Sequence, residues 1–246
     1  MNTKSMTPRM RSGRRQAGTS LVEILIAMVI ALFIMSGVVV VFVNMQKTFT
    51  SQDQLAQLQD SERLTLTILT NVVQQAGYFP NPLVNTALGA LPASGSLAAG
   101  QVITGTSGAS AGTDTLTTQF ATASGDGNMN CLGQANTTGS QQVYVNTLSI
   151  SANNELQCTL TVSGGTPTTV PLVSGVSGLT VLYGTDTNGN GYSDSYLSAA
   201  QVTAGGYWSL VHSVQVTLKF VTQFGNQVGQ TNNSTWVQTI SLKNQQ

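Results

Sequence analysis

The sequence predicts an α+β protein, with one long N-terminal helix followed by an antiparallel β domain. Three observations carry that expectation. An apolar run from Thr19 to Val43 holds a single ionisable residue, Glu23. A stretch without Pro or Gly continues from Asn44 to Ala76 with helical spacing of its apolar residues. From Asp114 onward, short alternating segments are separated by Gly and Asn clusters, which is the pattern of antiparallel strands.

The apolar run comes first. At a helical rise of about 1.5 Å per residue it spans a hydrocarbon core of about 30 Å. Lys4, Arg9, Arg11, Arg14 and Arg15 precede it. These basic residues are expected to stay cytoplasmic, which puts everything after Val43 outside. A secretory signal peptide has a shorter apolar core, of about 7–15 residues, and a small-residue cleavage site. Here Asn44-Met45-Gln46 closes the run with no Ala-x-Ala pattern. An uncleaved anchor is the plain alternative.

The helix is expected to continue past the membrane. Leu55, Leu58, Leu66, Leu69 and Val73 recur at spacings of three, four or multiples of them, and Leu64, Ile68 and Val72 widen that face. Gln52, Asp53, Gln57, Asp60, Glu62 and Arg63 are assigned to the polar surface. Gly77 is the expected C′ residue, and Pro80 prevents continuation. The prediction is one helix over 19–76, the alternative two helices meeting near Asn44.

Residues 80–113 are rich in Ala, Gly, Ser and Leu and contain Pro80, Pro82 and Pro92. They read as a long connection with little regular structure. Leu116, Thr118 and Phe120 then alternate with Thr115, Thr117 and Gln119. Residues 142–151 and 155–162 read as a hairpin around Asn153-Asn154. Further strands are expected over 169–173, 179–184, 209–224 and 236–242. In 209–224 the apolar face carries Leu210, Val214, Val216, Leu218 and Phe220, and His212 falls on it.

Charged residues make up only 7% of the chain, and formal charge is zero. The distribution is uneven. Residues 1–18 hold five of the nine basic residues and no acidic one, so the remainder has four basic against nine acidic residues, a net of −5. An acidic, lysine-poor exterior argues against nucleic-acid binding through a broad basic patch. Two cysteines, Cys131 and Cys158, lie beyond the span. In an oxidising compartment they are expected to pair, with two buried thiols as the alternative.

Asp186-Thr187-Asn188-Gly189-Asn190-Gly191-Tyr192-Ser193-Asp194 places oxygen-bearing side chains at positions 1, 3, 5 and 9 of a calcium-loop pattern. Gly191 stands at position 6, and the Tyr192 carbonyl would supply position 7. Position 12 is Leu197, which offers no carboxylate. Asp186, Asn188, Asn190, Tyr192 and Asp194 are therefore candidate ligands of a weak calcium site, and an Asn-Gly-rich turn needing no metal is the alternative. His212, the one histidine, reads as a core or rim residue, because no nearby motif supplies a nucleophile. Trp208, Trp236, Tyr78, Tyr207 and Phe79 form either an adhesive patch or part of the core. No phosphate loop, nucleophile elbow or metalloprotease helix is present, and no catalytic residue is assigned.

Glu23 calls for a partner. A carboxylate within an apolar span costs on the order of 2–3 kcal/mol, less near the end of the span. A cut after Gly18 would create an amine on Thr19 that could neutralise Glu23 of a neighbouring helix; unaided snorkelling to the interface is the alternative. The stretch Gly18-Thr19-Ser20-Leu21-Val22-Glu23, with its basic leader and apolar run, resembles the class III signal of type IV prepilins. Thr19 stands where that family usually has Phe. Gln75-Ala76-Gly77-Tyr78 is similar to the turn at this place in minor pilins of the PilW group. Asp114-Thr115-Leu116, Cys131-Leu132-Gly133, Val145-Asn146-Thr147-Leu148, Pro171 to Val176 and Leu182 to Asp186 resemble stretches of the same group, in the same order.

The resemblance implies a pilin-like fold, the outer half of the helix laid on an antiparallel sheet. It implies a prepilin leader 1–18, a transmembrane and filament-core half 19–46, an amphipathic half 47–77, and an extracytoplasmic β-rich domain 78–246. It implies cleavage between Gly18 and Thr19, N-methylation at Thr19, and docking through Glu23. Gly37 then marks either local unwinding in a filament or a close helix–helix contact at Ser36-Gly37. The implied partners are prepilin peptidase, other minor and major pilins, and the inner-membrane assembly platform, with no required cofactor. A J-type pseudopilin of type II secretion carries the same signal, helix and sheet. A membrane-anchored extracytoplasmic binding protein or enzyme with an accidental signal is the rival from another class.

Overall fold

The computed structural model describes residues 18–221 and 233–244. The basic residues Lys4, Arg9, Arg11, Arg14 and Arg15, and positions 222–224 of the expected strand, lie outside the described residues. Helix α1 runs over Leu21–Gln75, 55 residues without interruption. The chain divides into two units, one ending at Thr50 and the other beginning at Ser51.

In the first unit every described residue is exposed, including Leu32 and Phe33. Burial cannot account for a helix here; unbroken apolar sequence can. Its polar groups are settled locally: Ser36 Oγ donates to the Phe33 carbonyl, and Thr48 and Thr50 donate to Asn44 and Gln46. Such back-bonding removes the donors that an apolar medium would penalise.

In the second unit the helix buries Leu69, Val72 and Val73, while Leu58, Leu66 and Ile68 are partly covered. Leu55 and Leu64 are exposed. Glu62, assigned to the surface from sequence, is instead buried and accepts a hydrogen bond from Ser234 Oγ at 2.9 Å. The helix ends at Gly77, whose φ of +79° suits glycine. Its N–H donates to the Gln119 carbonyl, and a Cβ there would lie 2.7 Å from the Asn244 carbonyl oxygen.

The expected β domain contains two antiparallel sheets rather than one. The first has strand order β1-β2-β3-β4-β5, comprising Ile103–Thr106, Thr115–Thr122, Gln142–Ile150, Glu155–Val162 and Thr168–Ser174. The second has order β7-β6-β8-β9, where β6 is Val176–Thr185, β7 Ser195–Ser198, β8 Val211–Val221 and β9 Asn233–Ser241. Helix α2, Ala87–Ala90, interrupts the connection before β1, and α3, Ala199–Gly205, follows β7. The 142–162 hairpin forms with Asn154 at φ +58°.

Asp114 ties the two sheets together. Its Oδ1 accepts the Gly108 N–H and its Oδ2 accepts the N–H of Val181 in β6. Main-chain bonds Asp114 N to Leu179 O and Leu179 N to Gly112 O run beside it. Tyr183 adds a second tie, its hydroxyl lying 3.4 Å from the Thr115 carbonyl oxygen. Burial, reinforced by the Asp114 charge, pushes that hydroxyl far above the usual tyrosine range. It sits over Gly105, where a Cβ would come within 2.0 Å of it. The core is continuous between the sheets, through Leu116, Phe120 and Leu148 on one side and Leu179, Val181 and Leu218 on the other.

Candidate functional site

Two places carry the sequence-predicted site residues. The first is the start of α1. Gly18, Thr19 and Ser20 precede the helix and are exposed, and a Cβ placed on Gly18 would meet no heavy atom within 4 Å. The Ser20 carbonyl accepts from Glu23 and Ile24, opening the helix. Glu23 lies in the first turn, at the positive end of the helix dipole, which favours a carboxylate there. An exposed peptide bond after Gly18 is what a processing enzyme needs. Exposed apolar residues, from Leu21 through Val43, cover this helix segment. It is the one described helix long and apolar enough to cross a membrane.

The second place is the loop between β6 and β7. Asp186 sits at its centre and is buried. Its Oδ1 accepts the N–H groups of Asn188, Gly189 and Asn190, and its Oδ2 that of Gly191. The Gly191 N–H does most to hold the Asp186 carboxyl below its ordinary value; burial opposes it, and the Gly189, Asn190 and Asn188 N–H groups add to it. Gly191, at φ +85°, makes the sharp turn required at that point. Asp194 closes the ring, accepting from Thr187 N–H and Asn188 Nδ2.

The same contacts engage the candidate calcium ligands. Asn188 Oδ1 accepts the Asn190 N–H, and Asn190 Oδ1 accepts the Tyr192 N–H. The side-chain oxygens proposed as ligands thus already organise one another through the backbone. Leu197, in the twelfth position, lies in β7 opposite Tyr183. No group of three or more His, Cys, Asp or Glu side chains is placed to hold a metal among the described residues. The loop closes on its own hydrogen bonds, and its donor set is poor in charge.

His212 is placed differently from the apolar face expected for it. Register shifts between Gly184 and Thr185, whose partners are Ser213 and Val211, and His212 is the unmatched residue of that bulge. The bulge turns it towards the loop, with Nε2 3.9 Å from Asp186 Oδ2 and the side chain about one-third exposed, at 35%. Sequence alternation cannot reveal this, because one inserted residue moves each preceding side chain to the other face.

Cys131 and Cys158 form a disulfide, fastening the 123–141 connection to β4. The aromatic residues do not form one patch. Phe79 is buried, Trp208 meets Tyr183 edge to face at 4.9 Å, and Trp236 alone of the five is classed as exposed, at 43%. Trp236 borders a groove with Glu62, Arg63, Leu66 and Thr70 of α1.

With these features in place, comparison with known proteins adds one family match. Residues 134–245 match the family model of type IV pilus-assembly protein W. That stretch, a little under half of the chain, is similar to that family. That match covers β3 to β9, including the Asp186 loop and His212, and none of the Gly18–Glu23 stretch. No curated protein matches the chain. Among solved structures, a type IV-like pilin from Thermus thermophilus aligns at 14% identity with a TM-score of 0.45, over 76% of this chain and 96% of that one.

Proposed function

We propose that this protein is a minor pilin of the type IV pilus machinery, a structural subunit that helps prime or cap the filament. One observation carries the reading: two stretches that do not overlap point to the same assembly. The first is the Gly18–Glu23 signal on an exposed apolar helix. The second is the pilus-assembly match over residues 134–245, which favours a pilus over a secretion pseudopilus.

In this reading prepilin peptidase cuts after Gly18, and the Thr19 amine becomes the methylation site. Glu23 is neutralised by the amine of an adjacent subunit when the apolar helices gather. The protein waits in the inner membrane with residues 78–246 in the periplasm, then joins other minor and major pilins through the assembly platform. It acts by shape and contact rather than by catalysis, and the Asp186 loop works as a metal-independent turn.

Gly18→Ala and Glu23→Ala are expected to abolish piliation while the domain melts as in the parent protein. The N-terminal mass of membrane-extracted protein is expected to begin at Thr19 only where prepilin peptidase is present. Normal piliation in both variants, or a chain beginning at Met1 regardless of the peptidase, overturns this reading in favour of a plain anchored domain.

A further inference from the structure

An edge strand offers unpaired N–H and C=O groups to any extended chain unless it is short, bulged, charged or broken by proline. Among the described residues, three of the four sheet edges are blunted. β1 and β7 have four residues each. β5 carries Pro171, and its register shift opposite Leu156 and Gln157 leaves Leu172 unmatched. β9 has none of these devices. Its nine residues keep unbroken register with β8, and the stretch Asn233 to Leu242 contains no proline and no charged residue.

The direction of its free groups follows from one hydrogen bond. Leu242 N–H donates to the His212 carbonyl at 2.9 Å, continuing the register that pairs Ser241 with Ser213. In an antiparallel ladder, successive residues alternate between bonding the neighbour and facing away from it. Ser234, Trp236, Gln238 and Ile240 therefore bond β8. Thr235, Val237, Thr239 and Ser241 turn their N–H and C=O groups outward, and no hydrogen bond to a described residue uses them. On the helix-facing side of β9, Ser234 is tied to Glu62 and Ile240 is buried, while Trp236 between them borders the open groove.

A row of extended donors and acceptors is matched by another extended backbone. A neutral edge selects that backbone without charge, and in the groove beside it, whose α1 side is mostly polar, Leu66 and Trp236 offer an apolar contact to one of its side chains. We propose that β9 is an assembly edge: it receives an extended segment of a neighbouring pilus subunit, which becomes the fifth strand of this sheet and seats an aliphatic side chain against Trp236. This rests on the pilus-subunit reading.

Val237→Pro tests it in the full-length protein. The N–H removed points outward, so the β8–β9 ladder stays intact; Gln238→Pro, which removes an inward N–H, serves as the unfolding control. Val237→Pro is expected to melt as the parent does in detergent, to be processed at Gly18, and to lose piliation, whereas Val237→Ala keeps it. Should Val237→Pro melt early, the pair Thr235→Lys and Val237→Lys replaces it, since both side chains are exposed, and the same loss is expected. Amide exchange gives the direct readout: fast at Thr235, Val237 and Thr239 in the solubilised chain, slow in assembled filaments. Normal piliation by the edge variants, or fast exchange in both states, overturns the assembly edge while Glu23→Ala still abolishes pili. Normal piliation in the Glu23→Ala strain as well overturns the subunit reading itself.

Discussion

Leu32 and Leu69 belong to the same helix and to opposite chemical worlds. Leu32 is 69% exposed among neighbours that are exposed as well, whereas Leu69 is wholly buried against the sheets. Up to Val43 the helix carries an almost uniformly apolar sequence with nothing of its own unit to cover it. From Ser51 it carries a mixed sequence whose apolar residues are largely covered. One secondary structure thus has two sources of stability: satisfaction of the backbone in a medium without water, and burial of a face against protein.

Truncating each leucine in turn gives the clearest contrast. Leu69→Ala leaves a cavity in a packed core and is expected to cost about 2–5 kcal/mol, read from chemical unfolding of the full chain in detergent. Leu32→Ala is expected to leave that unfolding within about 0.5 kcal/mol. Equal losses would mean that the first half of the helix is packed after all. Reducing the Cys131–Cys158 bridge, 27 residues apart, is expected to cost about 3–4 kcal/mol by loop-closure entropy. A thermal melt with and without reductant measures it, and the far-ultraviolet signal of the membrane helix should survive.

Acid gives a smaller effect, confined to the second unit. The Asp186 carboxyl is held below its ordinary 3.8, by the Gly191 N–H above all. At Asp126 burial raises the pKa, but the Thr122 hydroxyl and the N–H groups of Asn128 and Ala123 outweigh it, so the net shift is also downward. A depressed folded pKa contributes stability that is complete above the unfolded value and lost as pH falls through the folded one. Melting temperature should therefore be steady from neutrality to about pH 4 and drop more steeply below it than in an Asp186→Asn, Asp126→Asn double variant. Chelation with EDTA at neutral pH is expected to change nothing, because the Asp186 loop is closed by N–H groups; a fall in melting temperature on chelation would instead support calcium at the loop.

The long helix, the hairpin at 142–162 and the strands after it were legible because each carries a periodicity longer than the local noise. What was not legible has particular causes. β1 and β7 are too short for alternation to register. Helix α3 was signalled by Ser198 and Gln201, which form a capping box, but its seven residues hold too few apolar positions to stand out. In β2 seven of the eight residues are buried, Gln119 among them, so alternation of polar and apolar side chains did not separate surface from core. Glu62 was misplaced because its partner, Ser234, is 172 residues away. At the loop, spacing singled out Asp186 and Asp194 as candidate cation ligands, but it did not show that their carboxylates accept the loop's own N–H groups, nor the bulge that brings His212 alongside.

Asn244 Nδ2 donates to the carbonyls of Gln74 and Ala76, closing the end of the first helix with a residue 170 positions further along. During synthesis those carbonyls lack this donor until almost the whole described chain has been made. A ribosome-bound chain can form the helix and the 142–162 hairpin, whose contacts are local, yet it cannot seal the helix end. The last described strand thus times the fold: residues 233–244 must be made before the helix end is sealed, and a chain stopped before Asn233 would leave an unsealed helix end and an unfinished sheet.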